Sequence, residues 1–428
     1  MTKRQTIHVA AAVLTLGFTS QTAMAGGFDR GGVNLDLLYS DEKFAAEATA
    51  TYVLPDRSIN DVTRAVNIAG GAPLTSSSVD VDNDFFVPRI SLKVGLGDHV
   101  DCLGTYSEPV GADAEYGLNN AHSASATEFS VSSNDFGLTC SAKFSAGKVT
   151  LFGREGQSRI RVIGGLSHLD VSGFQARQTF ADFVGIPGAF LPAPLASLNA
   201  EGLGLFNLSD SALGWRAGLA YEIPELALRA SVIYTSRFDL NLTGNVDISG
   251  FNTAVSQAIP ISQTTANTEI PESLEIGLQT GVSDSTLVFA SAKWQNWSAL
   301  GSIPINGVIS PVTGAPSATF FEPLYRDGLT ITGGVGHKFT DDLAGRLSLT
   351  WDRGTSTTVG TQTDTWTLAG GVQYSPSPNV DIRLGGAVGI LTSGEATGVG
   401  TQDPANALSF RFGDDFVGAV NASVRIVF

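Results

Sequence analysis

Apolar and polar residues alternate with a period of two along stretch after stretch of this sequence. Leu347, Leu349 and Trp351 alternate with Arg346, Ser348 and Thr350, and Ile90, Leu92, Val94 and Leu96 with Arg89, Ser91 and Lys93. Leu226, Leu228, Ala230, Val232 and Tyr234 stand against Ala227, Arg229, Ser231 and Ile233, and Trp366, Leu368, Gly370, Val372 and Tyr374 against Thr365 and Thr367. The chain ends on Val420, Ala422, Val424, Ile426 and Phe428 against Asn421, Ser423 and Arg425. Each such stretch is a strand with one apolar and one polar face. Only 15% of the 428 residues are charged while 43% are apolar; a globular protein carries about a quarter charged, so apolar surface here lacks an ionic shell. The 49 glycines keep no triplet period, which excludes collagen, and the apolar content with 24 phenylalanines argues against a disordered chain.

Residues 1–25 carry Lys3 and Arg4, an apolar run from Val9 to Phe18, and Ala23-Met24-Ala25. That is the pattern of a secretory signal peptide with a small-x-small cleavage site, which puts the mature start at Gly26. The run has about half the residues a spanning helix needs, and no later stretch suffices for one. Removing the leader takes the formal charge from -16 to -16 - 2 = -18, a balance that disfavours nucleic acid as a partner.

Segmentation on the alternation and on turn residues gives fourteen strands, starting near Glu47, Phe85, His99, Ser132, Ser158, Ser211, Glu225, Thr268, Asp284, Arg326, Asp341, Asp364, Pro378 and Asp415. Their connections alternate in length. Short ones fall at Gly97-Asp98, Pro224, Ser283-Asp284, Thr340-Asp341 and Ser375-Pro376; long polar ones span roughly 58–84, 111–131, 172–210, 239–267, 299–325 and 392–414. Short turns on one side and long loops on the other describe an all-β transmembrane antiparallel β-barrel of about 14 strands. Hydrocarbon offers no partner to a free backbone N–H or C=O, so an exported, lipid-facing sheet has to close on itself. A soluble sandwich or β-helix would leave the terminal Phe428 and the aromatic strand ends unexplained. Trp294, Trp297, Trp351 and Trp366 are expected in interface girdles. The connection 146–157 is long for a periplasmic turn and 354–363 short for an outer loop, so the count could shift by two.

Several segments resemble the FadL family of outer-membrane long-chain fatty acid and hydrophobic compound transporters. They are Tyr106-Ser-Glu-Pro-Val-Gly-Ala-Asp-Ala-Glu-Tyr116; Gly214-Trp-Arg-Ala-Gly-Leu-Ala-Tyr-Glu-Ile-Pro224 continuing through Ser231; and Pro271-Glu-Ser-Leu-Glu-Ile-Gly-Leu-Gln-Thr-Gly281 leading to Trp294-Gln-Asn-Trp297. They keep the family order, and the likeness runs on to Phe428. The resemblance implies a plug in the lumen, residues 26–46, inside a barrel of residues 47–428 in the outer membrane of a Gram-negative cell. It implies passive uptake of long-chain fatty acids or related hydrophobic compounds by loop capture, lumen binding and lateral release. The Asn-Pro-Ala tripeptide common in the family's plug does not occur here. The partners to expect are the hydrophobic small molecule, outer-membrane lipid and lipopolysaccharide, and the barrel assembly machinery. A general porin for small polar solutes and an outer-membrane lipid-modifying enzyme are the alternatives.

A hydrophobic-ligand channel needs apolar contacts where a porin needs charged constrictions. The stretch 174–208 supplies them in Phe174, Phe180, Phe183, Ile186, Phe190, Leu191, Leu195, Leu198, Leu203 and Phe206, too apolar for a loop that meets only water. We expect short helices there around a capture groove, or a lid packed on itself. Burying a dozen methylenes would supply roughly 10 kcal/mol before entropy costs, at about 0.8 kcal/mol each. Arg216, Arg229, Arg346, Arg383 and Arg425 fall on the polar phase of their strands. They could hold a ligand carboxylate, but internal pairing with acids such as Asp29, Asp36, Asp41 and Glu42 is the favoured reading.

The plug's start, with Gly26, Phe28, Asp29 and Arg30, is rich in glycine, which suits irregular backbone inside a lumen. Cys102 and Cys140 lie near the periplasmic ends of neighbouring strands, where a disulfide and two separate thiols are both conceivable. Asp80-Val-Asp-Asn-Asp84 lacks the glycine and distal glutamate of a calcium loop, so no metal is expected, nor any cofactor. His99, His122, His168 and His337 sit in no nucleophile motif, so no enzymatic activity is expected.

Overall fold

The computed structural model describes residues 26–64, 74–81, 84–123, 125–151, 153–178, 202–250, 261–309, 315–402 and 407–428. The expected signal peptide lies outside them. In chain order the strands are β1 (Phe44–Arg64), β2 (Leu74–Val81), β3 (Phe85–Leu96), β4 (Val100–Ser107), β5 (Ala112–Glu115), β6 (Glu128–Leu151), β7 (Arg154–Gln178) and β8 (Leu203–Ile223). There follow β9 (Leu228–Thr235), β10 (Phe238–Asp247), β11 (Ile261–Ile270), β12 (Ser273–Gly281), β13 (Thr286–Gln295), β14 (Ile303–Ile309), β15 (Pro316–Phe321) and β16 (Gly328–Lys338). The last are β17 (Leu343–Arg353), β18 (Thr365–Ser377), β19 (Val380–Leu391), β20 (Gly394–Ala396), β21 (Leu408–Phe412) and β22 (Asp415–Val427).

Fourteen of these strands form a closed antiparallel ring. It runs β1–β3–β4–β6–β7–β8–β9–β12–β13–β16–β17–β18–β19–β22 and back to β1, where Ala45 pairs with Val427 and Asp56 with Phe416. The fourteen-strand expectation holds. Residues 146–157 are no irregular turn: β6 and β7 continue as one hairpin to the pair Leu151 and Arg154, with a bulge after Ser145.

Alternation sorts the side chains. Ile90, Leu138, Leu166, Leu219, Leu278, Leu347, Leu368, Leu384 and Val420 are exposed on the outside of the ring, whereas Ser91, Thr139, Ser167, Thr332, Thr350, Thr367 and Ser423 are buried inside. The outward band is bordered by aromatic residues whose polar tips find acceptors. Trp294 Nε1 donates to Asp327 and Trp351 Nε1 to Asp364, both at 3.1 Å, and the Tyr52 hydroxyl donates to Asp84 at 2.8 Å. That is the amphipathic girdle of a membrane interface. Trp297 does not belong to it. After Gln295 the chain turns inward through the 3-10 turn Trp297–Ala299, which buries the indole to 1% exposure.

Above the girdle the polarity of the wall inverts. On β7 the outward residues change from Val162 and Leu166 to His168, Asp170 and Ser172, while Leu169 and Val171 become the buried inward ones. On β9 and β10 a bulge does the same. Arg216 pairs with Thr235 and Ser209 with Thr243, so eight steps along one strand face seven along the other. One extra residue exchanges the two faces of a strand. The even-numbered apolar row is therefore outward at Val232 but inward at Phe238, Leu240 and Val246. Pairing survives the bulge because Ser236 N donates to Trp215 O and Trp215 N to Ser236 Oγ.

The expected outer loops 239–267 and 299–325 contain β10, β11, β14 and β15, which continue the wall outward. Their outward rows, such as Asn241, Thr243 and Asn245, are polar because they meet water, and this made them read as loops. The ends of the expected helical stretch 174–208 are strand as well, with Phe174 opposite Asn207 and Gln178 opposite Leu203.

Candidate functional site

β1 begins at Phe44, so the segment inside the barrel is residues 26–43. Its second half is tied to the wall by buried charges. Arg161, 0% exposed, donates through Nη1 to Leu38 O at 3.1 Å, Asp101 at 2.7 Å and Ser141 Oγ at 3.1 Å, and through Nε to Glu222 at 2.5 Å. Lys93 Nζ donates to Ser40 O and Glu42 O and pairs with Asp101 at 3.1 Å. Arg229 holds Asp36 at 2.6 Å and lies 4.2 Å from the centre of the Tyr39 ring. Arg159 reaches Asp41 at 2.8 Å. A buried cation is tolerated only when paired and hydrogen-bonded, and here the plug's backbone carbonyls supply part of that pairing.

The first turn of the plug is tied higher up. Arg30 N donates to Pro109 O and Gly111 N to Phe28 O, so residues 28–30 pair with residues 109–111 of the wall. Asp29 pairs with Lys293 and Arg30 with Asp113, and the Arg30 guanidinium lies 4.3 Å from the centre of the Phe85 ring. At Gly27, with φ of +60°, a Cβ would come within 2.8 Å of the Trp297 ring, so glycine is required by both backbone and space.

Phe28 is the floor of an apolar cavity. Its ring centre is 5.6 Å from Tyr325, 5.9 Å from Trp297, and 6.2 Å from both Phe129 and Phe321, which stack on each other at 5.2 Å. The cavity above it, about 110 Å³, is walled by Val131, Val171, Phe206, Leu240, Leu242 and Ile305 among others. The lining is largely apolar, and an apolar cavity of about 150 Å³ is enough to accept a benzene ring. Below Phe28 lies a polar lumen cavity of about 310 Å³, bordered by Asp29, Asp36, Arg216, Arg229, Lys293 and Arg346. Phe28 and the wall residues packed with it, Val110, Leu169, Phe238 and Ile270, thus lie between an apolar chamber and a polar one.

The wall beside this floor is broken. Ser107 pairs with Asp135 and Ala112 with Val131, so residues 108–111 hold one residue more than the strand opposite. β3 pairs with β4 only from Arg89 onward, and its residues 85–88 pair only with β1.

Of the expected groove residues, Phe174 and Phe206 line the apolar cavity and Leu203 starts β8. Phe180, Phe183, Ile186, Phe190, Leu191, Leu195 and Leu198 lie outside the described residues. The five arginines do not reach that cavity. Arg216 is 3.6 Å from Asp135, and Arg383 is 2.8 Å from Glu47. Arg346 lies 3.8 Å from the centre of the Phe289 ring, and Arg425 borders the periplasmic mouth. Sequence reading missed Lys93, Asp101, Arg161 and Glu222, although all four stand on the polar phase of their strands. Cys102 and Cys140 are directly opposed on β4 and β6 and form a disulfide.

Outside the membrane, His122 is buried in the loop between β5 and β6. Its ring stacks on Tyr116 at 3.7 Å and its Nδ1 bonds Ala126 O at 3.0 Å. Burial, with help from Arg64, pushes its pKa down to about 4. The folded loop therefore resists a proton that the unfolded loop accepts from pH 6.5 downward, and its stability falls as pH drops from 6.5 towards 4. Hydrogen-exchange protection factors in residues 116–127, which divide out the intrinsic pH dependence of exchange, should be lower at pH 5 than at pH 7.5, and His122→Phe should remove that difference; equal protection in the wild type would contradict it.

The family model described as outer membrane protein transport protein (OMPP1/FadL/TodX) matches residues 21–387. No curated protein sequence matches the chain. Among solved structures, a Pseudomonas aeruginosa FadL homologue superposes with a TM-score of 0.73 at 16% identity, over 95% of this chain and 97% of the other. The CymD monoaromatic hydrocarbon channel gives 0.59 at 16% identity over 92% and 90%, and the Ralstonia pickettii toluene transporter TbuX 0.58 at 15% over 95% and 96%. At these identities the likeness is one of fold. The family match across most of the length, together with the closed ring and its outward apolar band, places the chain in the outer membrane as a member of the OMPP1/FadL/TodX family of transport proteins.

Proposed function

We propose that the protein is a passive outer-membrane channel for hydrophobic compounds, and that the apolar cavity above Phe28 is its binding site. The observation that carries this is the inverted wall: above the girdle the barrel turns its apolar rows inward, around a chamber closed below by the plug. The compounds favoured are neutral and about one ring in size. Among the described residues that line the cavity there is no Lys or Arg, and residues 179–201 contain Asp182 and Glu201 but no Lys or Arg. A long-chain fatty acid would find its acyl contacts here, but the buried guanidinium beside the cavity, that of Arg177 over the Phe206 ring, is already engaged by Thr319 Oγ1 and Phe320 O. CymD and TbuX, named for monoaromatic hydrocarbons and toluene, are consistent with that preference.

Release in this reading is sideways. The seam between residues 85–88 and residues 108–111 is filled by plug residues 28–30, so a shift of the plug's first turn would open cavity and wall together. Cells whose outer membrane carries the protein should take up labelled p-xylene faster than cells without it, and faster relative to that control than labelled oleate. Leu242→Trp, which fills the cavity, should abolish the advantage. A large bilayer conductance with no gain in p-xylene uptake would instead establish a general porin.

A further inference from the structure

Two side chains break the apolar lining of the cavity. Gln175 stands on β7 between Phe129 and Phe206, its partners on either side, and both of those rings face the cavity. Thr268 stands on β11 between the inward Ala266 and Ile270 and opposite Leu240. Glu269 also borders the cavity but belongs to the outward row, next to Asp239 and 3.6 Å from Arg237. Gln175 Nε2 donates to Ser125 O at 3.1 Å. That bond leaves the amide oxygen, an acceptor, for the cavity, while the Thr268 hydroxyl can donate or accept.

We propose that the cavity selects neutral, ring-sized hydrophobic molecules that carry one hydroxyl group, with Gln175 and Thr268 as its specificity-determining residues. The proposal rests on the cavity being the ligand site. A pure hydrocarbon that fills the cavity expels the water these two groups would otherwise bond and leaves them unpaired. A ligand O–H donates to Gln175 Oε1 or to Thr268 Oγ1 and accepts from the threonine. A carboxylate has no proton to give the amide oxygen, keeps only the Thr268 hydroxyl as a donor, and meets Glu269 nearby.

Para-cresol and para-xylene test this, because they differ by a hydroxyl in place of a methyl on the same ring. Binding is measured to the mature chain in detergent, with each ligand's partition into micelles subtracted. The wild type should bind para-cresol about tenfold more tightly than para-xylene, the effect of about one buried hydrogen bond. Gln175→Met and Thr268→Val preserve size, and each should narrow that ratio at least threefold, chiefly by weakening para-cresol. A wild-type ratio near one, or a ratio unchanged in both variants, overturns the proposal. Leu242→Trp separates the two levels. If it leaves the binding of both ligands intact, the cavity is not the site; if it abolishes binding while the ratio persists in both polar variants, only the hydroxyl selection falls.

Discussion

Arg161→Leu is expected to destabilise the folded barrel by about 3–5 kcal/mol, the usual effect of removing one member of a buried ion pair. The substitution leaves Leu38 O without its donor and takes one cation from both Asp101 and Glu222. Lys93 and Lys143 remain on Asp101, and Arg159 on Glu222, so the wall should still assemble while the plug loosens. The two consequences are separable. The urea midpoint of the purified chain should fall, and the ion conductance of single molecules in a planar bilayer should rise because Asp36–Tyr39 is less firmly held. Arg161→Lys should recover part of the midpoint, since an ammonium keeps the charge but not the fork of donors. A midpoint and a conductance equal to those of the wild type would show that Arg161 is not what holds the plug.

How much of this was readable in the sequence depended on whether a residue's face could be assigned. The rows Ile90, Leu92, Val94 and Leu347, Leu349 fixed strands and ring size because every lipid-facing row looks alike. The chamber was hidden because Leu240, Leu242 and Val246 alternate with Asn241, Thr243 and Asn245 in the same way, and alternation does not say which side is inward. On β7 the inversion leaves a trace, since the apolar row passes from the even positions 162 and 166 to the odd positions 169 and 171. On β9 and β10 it leaves none: the row stays even while the bulge at Ser236 and Arg237 turns the strand over. Trp297 was misread for a related reason, because a tryptophan near a strand end suits a girdle and an inward turn equally well. The Arg161 network was missed because its partners come from β4, β6, β8 and the plug, and only closure of the ring brings them together.

Phe28→Ala should produce the largest functional change of any single substitution. Truncating a buried phenylalanine costs about 3–5 kcal/mol, and here the loss falls on a segment rather than on the wall. The ring contacts to Phe129, Trp297, Phe321 and Tyr325 disappear together, while the ion pairs of Asp29 and Arg30 persist. The apolar chamber then opens onto the polar lumen, and water and ions gain a path between them. Conductance should rise at least tenfold, and the affinity for para-xylene should fall because one side of its site is now wet. Phe28→Leu, which keeps an apolar floor, should stay close to wild type in both measurements. The pair of readouts matters, because a plug that had merely dropped out would raise conductance in the leucine variant too. If Phe28→Ala leaves both values where they were, the floor of the chamber is made by the wall, and the link between plug movement and ligand release has no physical basis.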